Sequence, residues 1–279
     1  WVATVIILVV AAGFTPLCVS WQSEQFAKTG VPGGPPNLFL VIIATLAACL
    51  GLLYLARGLR AIGRSIATKI GRRTSWPFTV RTLLGGISVF VGVLVVVAAG
   101  LALSMVFFNK MNNSTAGQTP PSSTLRSGGP GSVVPWQSLG NEGRDFVSSG
   151  PSPSQIQTVT QRPALEPIRI YTGLESANSL QDQANLALED LKRAGGLKRK
   201  AIIVYTPSTN GLVDPTASEA AEYVMGGDVT SVSMQYTVLP SFLSIMLSQS
   251  TSLDSGTILF QTVRNAIDEL PVSARPKLY

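Results

Sequence analysis

The stretch with most capacity for chemistry is Thr206-Pro-Ser-Thr-Asn-Gly211, which comes directly after the apolar run Ala201-Ile-Ile-Val-Tyr205. It is short, polar and glycine-containing, and a helical pattern comes next. The backbone N–H groups of Ser208, Thr209, Asn210 and Gly211 could converge on an anion or on an oxyanion developing in a reaction. Pro207 has no N–H to offer. The same residues also read as an ordinary strand-to-helix turn. Asp214 is a candidate catalytic acid, but its place just before Pro215 explains it better as a helix cap.

The rest of the chain narrows the chemistry. There is no histidine among 279 residues, and the two cysteines, Cys18 and Cys49, sit inside apolar runs. No metal-ligand cluster is expected, and neither a G-x-G-x-x-G loop nor a Walker loop is present, so no cofactor is expected. The sequence also lacks G-x-S-x-G. A Ser-His-Asp triad needs a histidine base, which these residues do not supply. Lys198, Arg199 and Lys200 precede a strand and read as a solvated edge.

The turn at 206–211 lies within an alternating series. "IRIYTGL" reads as a strand. "NSLQDQANLALEDLKRAGG" reads as an amphipathic helix with Leu180, Ala184, Ala187, Leu188 and Leu191 on one face. "AIIVY" has the unbroken apolar character of a strand covered on both sides. "DPTASEAAEYVMGG" predicts a second helix, with Ala217, Ala220, Ala221 and Val224 inward. "VTSVSMQYTV" is a strand, and "GTILFQTVRNAIDEL" is a third helix with Leu259, Val263, Ala266 and Leu270 inward. Lys277, Leu278 and Tyr279 open another strand, expected to be central and to continue beyond Tyr279. Strand and helix in strict alternation imply a parallel sheet with helices on both faces. Ligands of such sheets bind beyond the carboxyl ends of the strands, which is where 206–211 falls.

The first 110 residues have a different texture. Runs 2–20, 38–59 and 83–108 contain no acid, and Arg57 is their one charged residue. Each is long enough, at ~1.5 Å per residue, to cross a hydrocarbon core of ~30 Å. From the end of the second run to the start of the third, residues 57–81 hold Arg57, Arg60, Arg64, Lys69, Arg72, Arg73 and Arg81, with no acid among them. The positive-inside rule places this basic loop in the cytoplasm and everything after Phe108 outside the cell membrane. From Met111 onward there are 12 bases and 14 acids, so the net charge of +6 is a topology signal and no argument for nucleic acid. The expected partners are the lipid bilayer, with anionic headgroups at the basic loop, and possible membrane protein complex partners.

Residues 111–163 are rich in Ser, Pro, Gly, Thr and Gln, and offer few groups for a core. They read as a tether, loosest near 114–131, with Val134, Trp136, Leu139 and Phe146 able to dock. The expected domains are therefore a transmembrane helical module at 1–110, a linker at 111–163 and an α/β domain at 164–279. The chain opens on Trp1, so further residues are expected before it as well.

Residues 167–279 resemble the actinobacterial membrane-anchored α/β-hydrolase family. The motifs are "PIRIYTGLESA", "LEDLKRAGGLKRKAIIVYTPSTNGLVDP", "ASEAAEYVMGGD", "SMQYTVLPSFLSIML" and "RPKLY", in the family's order. "VPWQSLGNEGRDFVSSGPS" is similar to the family's linker. The resemblance implies an α/β-hydrolase fold, here incomplete at its C-terminus. It also implies that "PKLY" runs into a G-E-S-L-G nucleophile elbow, with the acid and histidine later in the chain. "TPSTNG" is similar to the loop that supplies part of an oxyanion hole. The expected function is a membrane-anchored extracytoplasmic serine hydrolase of esterase, lipase or acyltransferase type, and the alternative is a structural or accessory subunit of a membrane complex.

Overall fold

The computed structural model describes residues 2–29, 38–208, 210–240, 243, 244, 246 and 249–279. The chain divides into two compact units, Trp1–Gly100 and Leu101–Tyr279.

The first unit is helical. Helix α1 spans Val2–Thr29, α2 spans Leu38–Arg73, and α3 begins at Phe78 and runs to Asn113. By length and composition two helices among the described residues are able to cross a membrane, Leu40–Arg73 and Phe78–Asn113. None of the most apolar window of either is buried, unlike the core helix of a soluble protein. The segment expected as a basic loop is largely helix: α2 carries Arg57 to Arg73 without a break, and α3 carries Arg81 in its first turn. No proline stands between Leu38 and Trp76, so the backbone of α2 keeps its hydrogen bonds past the end of its apolar run. A second short loop is expected at residues 21–37, between the first two apolar runs; residues 21–29 are instead part of α1, and residues 30–37 lie outside the described residues.

The second unit holds a four-stranded parallel sheet in the order β1-β3-β2-β4, with β1 Ile168–Thr172, β2 Ala201–Tyr205, β3 Val229–Met234 and β4 Lys277–Leu278. Helices that accompany it include α4 (Gly140–Ser148), α5 (Pro153–Thr160), α6 (Leu180–Arg193), α7 (Pro215–Val224) and α8 (Gln249–Asp268). Connections β1-α6-β2 and β3-α8-β4 step across the sheet in one direction, and β2-α7-β3 steps back. Right-handed crossovers then place α6 and α8 together on one face and α7 on the other. The core agrees: Ala184, Ala187 and Leu191 of α6 meet Leu259, Val263 and Ile267 of α8 over Ile168, Ile170, Ile202 and Val232.

Local signals start and stop these elements. The Ser179 side chain accepts a hydrogen bond from the Asp182 amide at 3.1 Å and caps α6. The Asp214 carboxylate accepts from the Thr216 amide at 2.8 Å, so this residue is a cap, with Pro215 in the first turn of α7. Strand β3 is shorter than expected, ending at Met234. The Gln235 amide still donates to Thr172 O at 2.8 Å, and Gln235 is fully buried.

The inner face of α7 is corrected. Val224 is 83% exposed and Ala217 and Ala220 are exposed, whereas Ser218 and Glu222 are fully buried. The reason lies on β1, where Arg169 is also fully buried. Its guanidinium donates to both carboxylate oxygens of Glu222, at 2.8 and 2.7 Å. A buried arginine requires a buried acid, and this outweighs the preference of Val224 for the interior.

The expected tether docks through Val134, Trp136, Leu139 and Phe146 as anticipated, but its loosest part, near 114–131, is corrected, since it too is folded onto the α/β unit. Val134, Trp136, Leu139, Phe146, Val147 and Ile156 are buried. Residues 125–127 lie along the free edge of β1: the Ser127 amide donates to Arg169 O at 3.0 Å and the Arg169 amide to Leu125 O at 3.2 Å. An open strand edge is thereby covered. Asp190, buried on α6, fastens the segment. Its carboxylate accepts from Ser127 Oγ at 2.7 Å, Ser132 Oγ at 3.0 Å, the Val133 amide at 3.1 Å and Arg193 Nε at 2.7 Å. Composition misses this because one carboxylate satisfies the polar groups that a Ser/Gly-rich segment cannot satisfy itself. Asp190→Ala is expected to release the segment, so limited proteolysis should cut the variant first between residues 122 and 133 while the parent resists there. Equal cutting of the parent would refute the docking.

Candidate functional site

At the carboxyl ends of β1, β2 and β3 the chain assembles a polar cluster around Gln235, the residue directly after β3. Gln235 is fully buried, and its Nε2 has three acceptors in reach: Asn112 Oδ1 at 2.9 Å, Asn210 O at 2.5 Å and Thr237 O at 3.2 Å. An amide has two such hydrogens, so the group is fully used. Asn112, in the last turn of α3, also accepts from the Asn141 amide at 3.3 Å. Arg144 of α4 holds that turn by donating to Asn112 O at 2.8 Å and to Ser114 O. A cation on the last carbonyls of a helix is the favoured arrangement there.

The turn after β2 completes the cluster. Asn210 Nδ2 donates to Glu142 Oε1 at 2.8 Å, and Tyr171 of β1 donates its hydroxyl proton to Gly211 O at 2.7 Å. Gly211 has φ 107°, and a Cβ there would stand 2.5 Å from the Tyr171 hydroxyl. Only glycine meets both demands.

Burial sets the electrostatics. It pushes the Glu142 carboxyl above the usual range, Asp145 adds to the rise, and hydrogen bonds from Asn210 and Asn141 partly offset it. Full burial, then Glu142, holds the Tyr171 phenol well above its ordinary range, so it remains a donor. The folded state therefore binds the Glu142 proton more tightly than the unfolded chain. The stability this confers is full below the ordinary carboxylate pKa and is lost as pH rises through the folded value. Glu142→Gln is expected to melt higher than the parent at about pH 8 and level with it at about pH 4. A difference independent of pH would refute the assignment.

Beside the cluster lies a cavity of about 600 Å³. Its lining includes the polar residues Asn112, Asn141, Glu142, Ser208 and Asn210 and the apolar residues Phe108, Met111, Leu212 and Val238. A few convergent polar groups against hydrocarbon are what an amphiphilic organic ligand needs. Among the described residues no group of three or more His, Cys, Asp or Glu is placed to hold a metal.

Of the four amides expected to face an oxyanion, two are spent inside the turn. Ser208 N donates to Leu212 O at 2.9 Å, and Gly211 N to Ser208 O at 2.9 Å. This corrects the expectation at both positions: the turn closes on itself, and its own carbonyls take the amides. Thr209 lies outside the described residues. Asn210 is engaged through its side chain and its carbonyl. The basic residues Arg57, Arg60, Arg64, Lys69, Arg72, Arg73 and Arg81 belong to α2 and α3 of the first unit. Sequence reading missed Gln235, Glu142, Asn112 and Tyr171. The available signal was a polar residue directly after a buried strand, at Gln235.

Residues 168–279 match a family described as the alpha/beta-hydrolase family, and residues 1–151 match one described as the alpha/beta-hydrolase family N-terminus. No curated protein and no solved structure matches the chain.

Proposed function

Because the chain belongs to the alpha/beta-hydrolase family, we propose that the full-length protein is a serine hydrolase of esterase, lipase or acyltransferase type, anchored in a membrane. The observation that carries this is the Asn112–Gln235–Asn210–Glu142 cluster beside a cavity at the carboxyl ends of the strands. Strand β4 supports it. It runs parallel to β2 and beside it, with the Tyr279 amide donating to Ile202 O at 3.0 Å. A strand in this position points the next residues of the chain toward the same end of the sheet. In this reading the family's serine elbow comes after β4, and the acid and histidine come later. The reactive carbonyl then lies between that serine and the cavity.

The membrane part of the proposal uses three spans, with α1 added to α2 and α3. The basic residues of α2 and α3 face the cytoplasm, and the α/β unit lies outside. Envelope lipids are then substrates within reach of the cavity.

The test is a fluorophosphonate probe applied to the full-length protein in detergent. Labelling is expected at one serine within a G-x-S-x-G motif and at none of residues 1–279. Absence of labelling in a folded full-length protein would refute the hydrolase reading in favour of an accessory subunit of a membrane complex.

A further inference from the structure

Helices α2 and α3 nearly touch at Gly63 and Gly85, where a Cβ on Gly85 would stand 2.5 Å from Gly63 O. Beside this contact is a groove of about 800 Å³. Leu59, Gly63, Ala67, Phe78, Gly86 and Val89 give it an apolar lining, and Arg60, Arg64 and Arg81 also face it. The apolar run of α2 stops at Leu59, about one turn before Gly63, and that of α3 starts at Leu83, about half a turn before Gly85. The three arginines therefore gather where both helices pass from hydrocarbon to water.

Residues 1–100 offer them no unpaired acid as counter-charge. Residues 1–100 contain a single acid, Glu24, and it is paired with Lys28 at 2.7 Å. Arg81 Nε is enclosed and has no hydrogen-bond partner. An enclosed guanidinium donor without an acceptor is costly and calls for one. Planar guanidinium groups match phosphate oxygens in geometry as well as charge. The required ligand carries a phosphate at the interface and hydrocarbon directly beneath it.

We infer that this groove is a binding site for one anionic phospholipid. The phosphodiester is held by Arg60, Arg64 and Arg81, and an acyl chain lies along the apolar lining past Gly86. The site is separate from the cavity of the α/β unit. It rests on the membrane reading of α2 and α3 proposed above, and it is independent of the hydrolase reading.

The test uses the full chain purified in detergent and returned to vesicles. Flotation with vesicles of dioleoylphosphatidylcholine containing dioleoylphosphatidylglycerol checks insertion first. Native mass spectrometry of the detergent-solubilised chain then counts bound lipid. A one-to-one adduct with phosphatidylglycerol is expected, in preference to phosphatidylcholine. The triple variant R60Q/R64Q/R81Q is expected to weaken it by at least about tenfold. The triple variant R57Q/R72Q/R73Q loses the same charge away from the groove and is expected to keep it.

Gly86→Leu separates the site from general charge and from folding. Gly86 lines the groove and a Cβ there meets nothing within 4 Å, so the backbone accepts a side chain at this position, and all arginines remain. Loss of the adduct in this variant, with flotation unchanged, supports the assignment. Equal loss in both arginine triples, equal binding of the two lipids, or an undiminished adduct in Gly86→Leu would each overturn it. Displacement of the lipid by inorganic phosphate alone, with phosphate retained in Gly86→Leu, would overturn the acyl-chain part and leave a phosphate site. A chain that floats with no vesicle would overturn this inference and the membrane reading together, whatever the fluorophosphonate probe shows.

Discussion

Glu222→Ala lowers the stability of the α/β unit by about 3–5 kcal/mol, because it strands the Arg169 guanidinium in the interior. Both side chains of the pair are fully buried, and Nη2 of Arg169 is 2.7 Å from Glu222 Oε2. After the substitution Arg169 keeps Phe146 O at 2.8 Å, Ser149 Oγ at 3.0 Å and the face of the Phe146 ring at 4.9 Å. None of these carries a negative charge. For a unit of this size the loss corresponds to a fall in melting temperature on the order of 10 °C. Thermal melts of the purified chain in detergent check it. The double variant Arg169→Met with Glu222→Leu is expected to recover most of the loss, since removing both charges removes the desolvation cost as well. If Glu222→Ala costs less than about 1 kcal/mol, the value of an exposed pair, the pair is not desolvated and the account fails.

Gly211→Ala is expected to cut turnover of the full-length hydrolase by about a hundredfold, the scale on which small misplacements of catalytic parts act. A Cβ at this position stands 2.5 Å from the Tyr171 hydroxyl and 3.0 Å from Gln235 Cγ, in a backbone region that L residues avoid. The turn must move, which draws Asn210 O from Gln235 and Asn210 Nδ2 from Glu142. Tyr171→Phe in the same chain removes the closer clash and should restore part of the rate. Steady-state kinetics with an activated acyl ester are the measurement. A rate within about threefold of the parent would show that the turn does not position the reaction.

Much of the fold could be read directly from residue types. "AIIVY" forms β2 over the residues expected of it, because an unbroken apolar run has no polar face to present to water. Leu259, Val263 and Ala266 line the inner face of α8 at helical spacing. The same logic failed on α7, where spacing favoured Ala217, Ala220 and Val224. Which face turns inward there depends on Arg169, a residue far away in the chain, and hydrophobic periodicity carries no record of a buried ion pair.

The candidate site divides in the same way. The turn at 206–211 could be located from the sequence, since it joins a strand to a helix at the end of the sheet where ligands bind. Its partners could not. Asn112, Glu142, Tyr171 and Gln235 are dispersed along the chain, and no spacing rule links them. The sequence by itself determined the parallel alternation of strand and helix, the apolar helices of the first hundred residues and the basic residues at one end of them, because each is a local pattern of apolar and charged groups. Tertiary structure alone decided that residues 125–127 close the edge of β1, that Glu222 is buried, and that Gln235 gathers Asn112 and Asn210 at the cavity. Each of these is a pairing of polar groups brought together only when the chain closes, and their energies come from desolvation that a local sequence window does not contain.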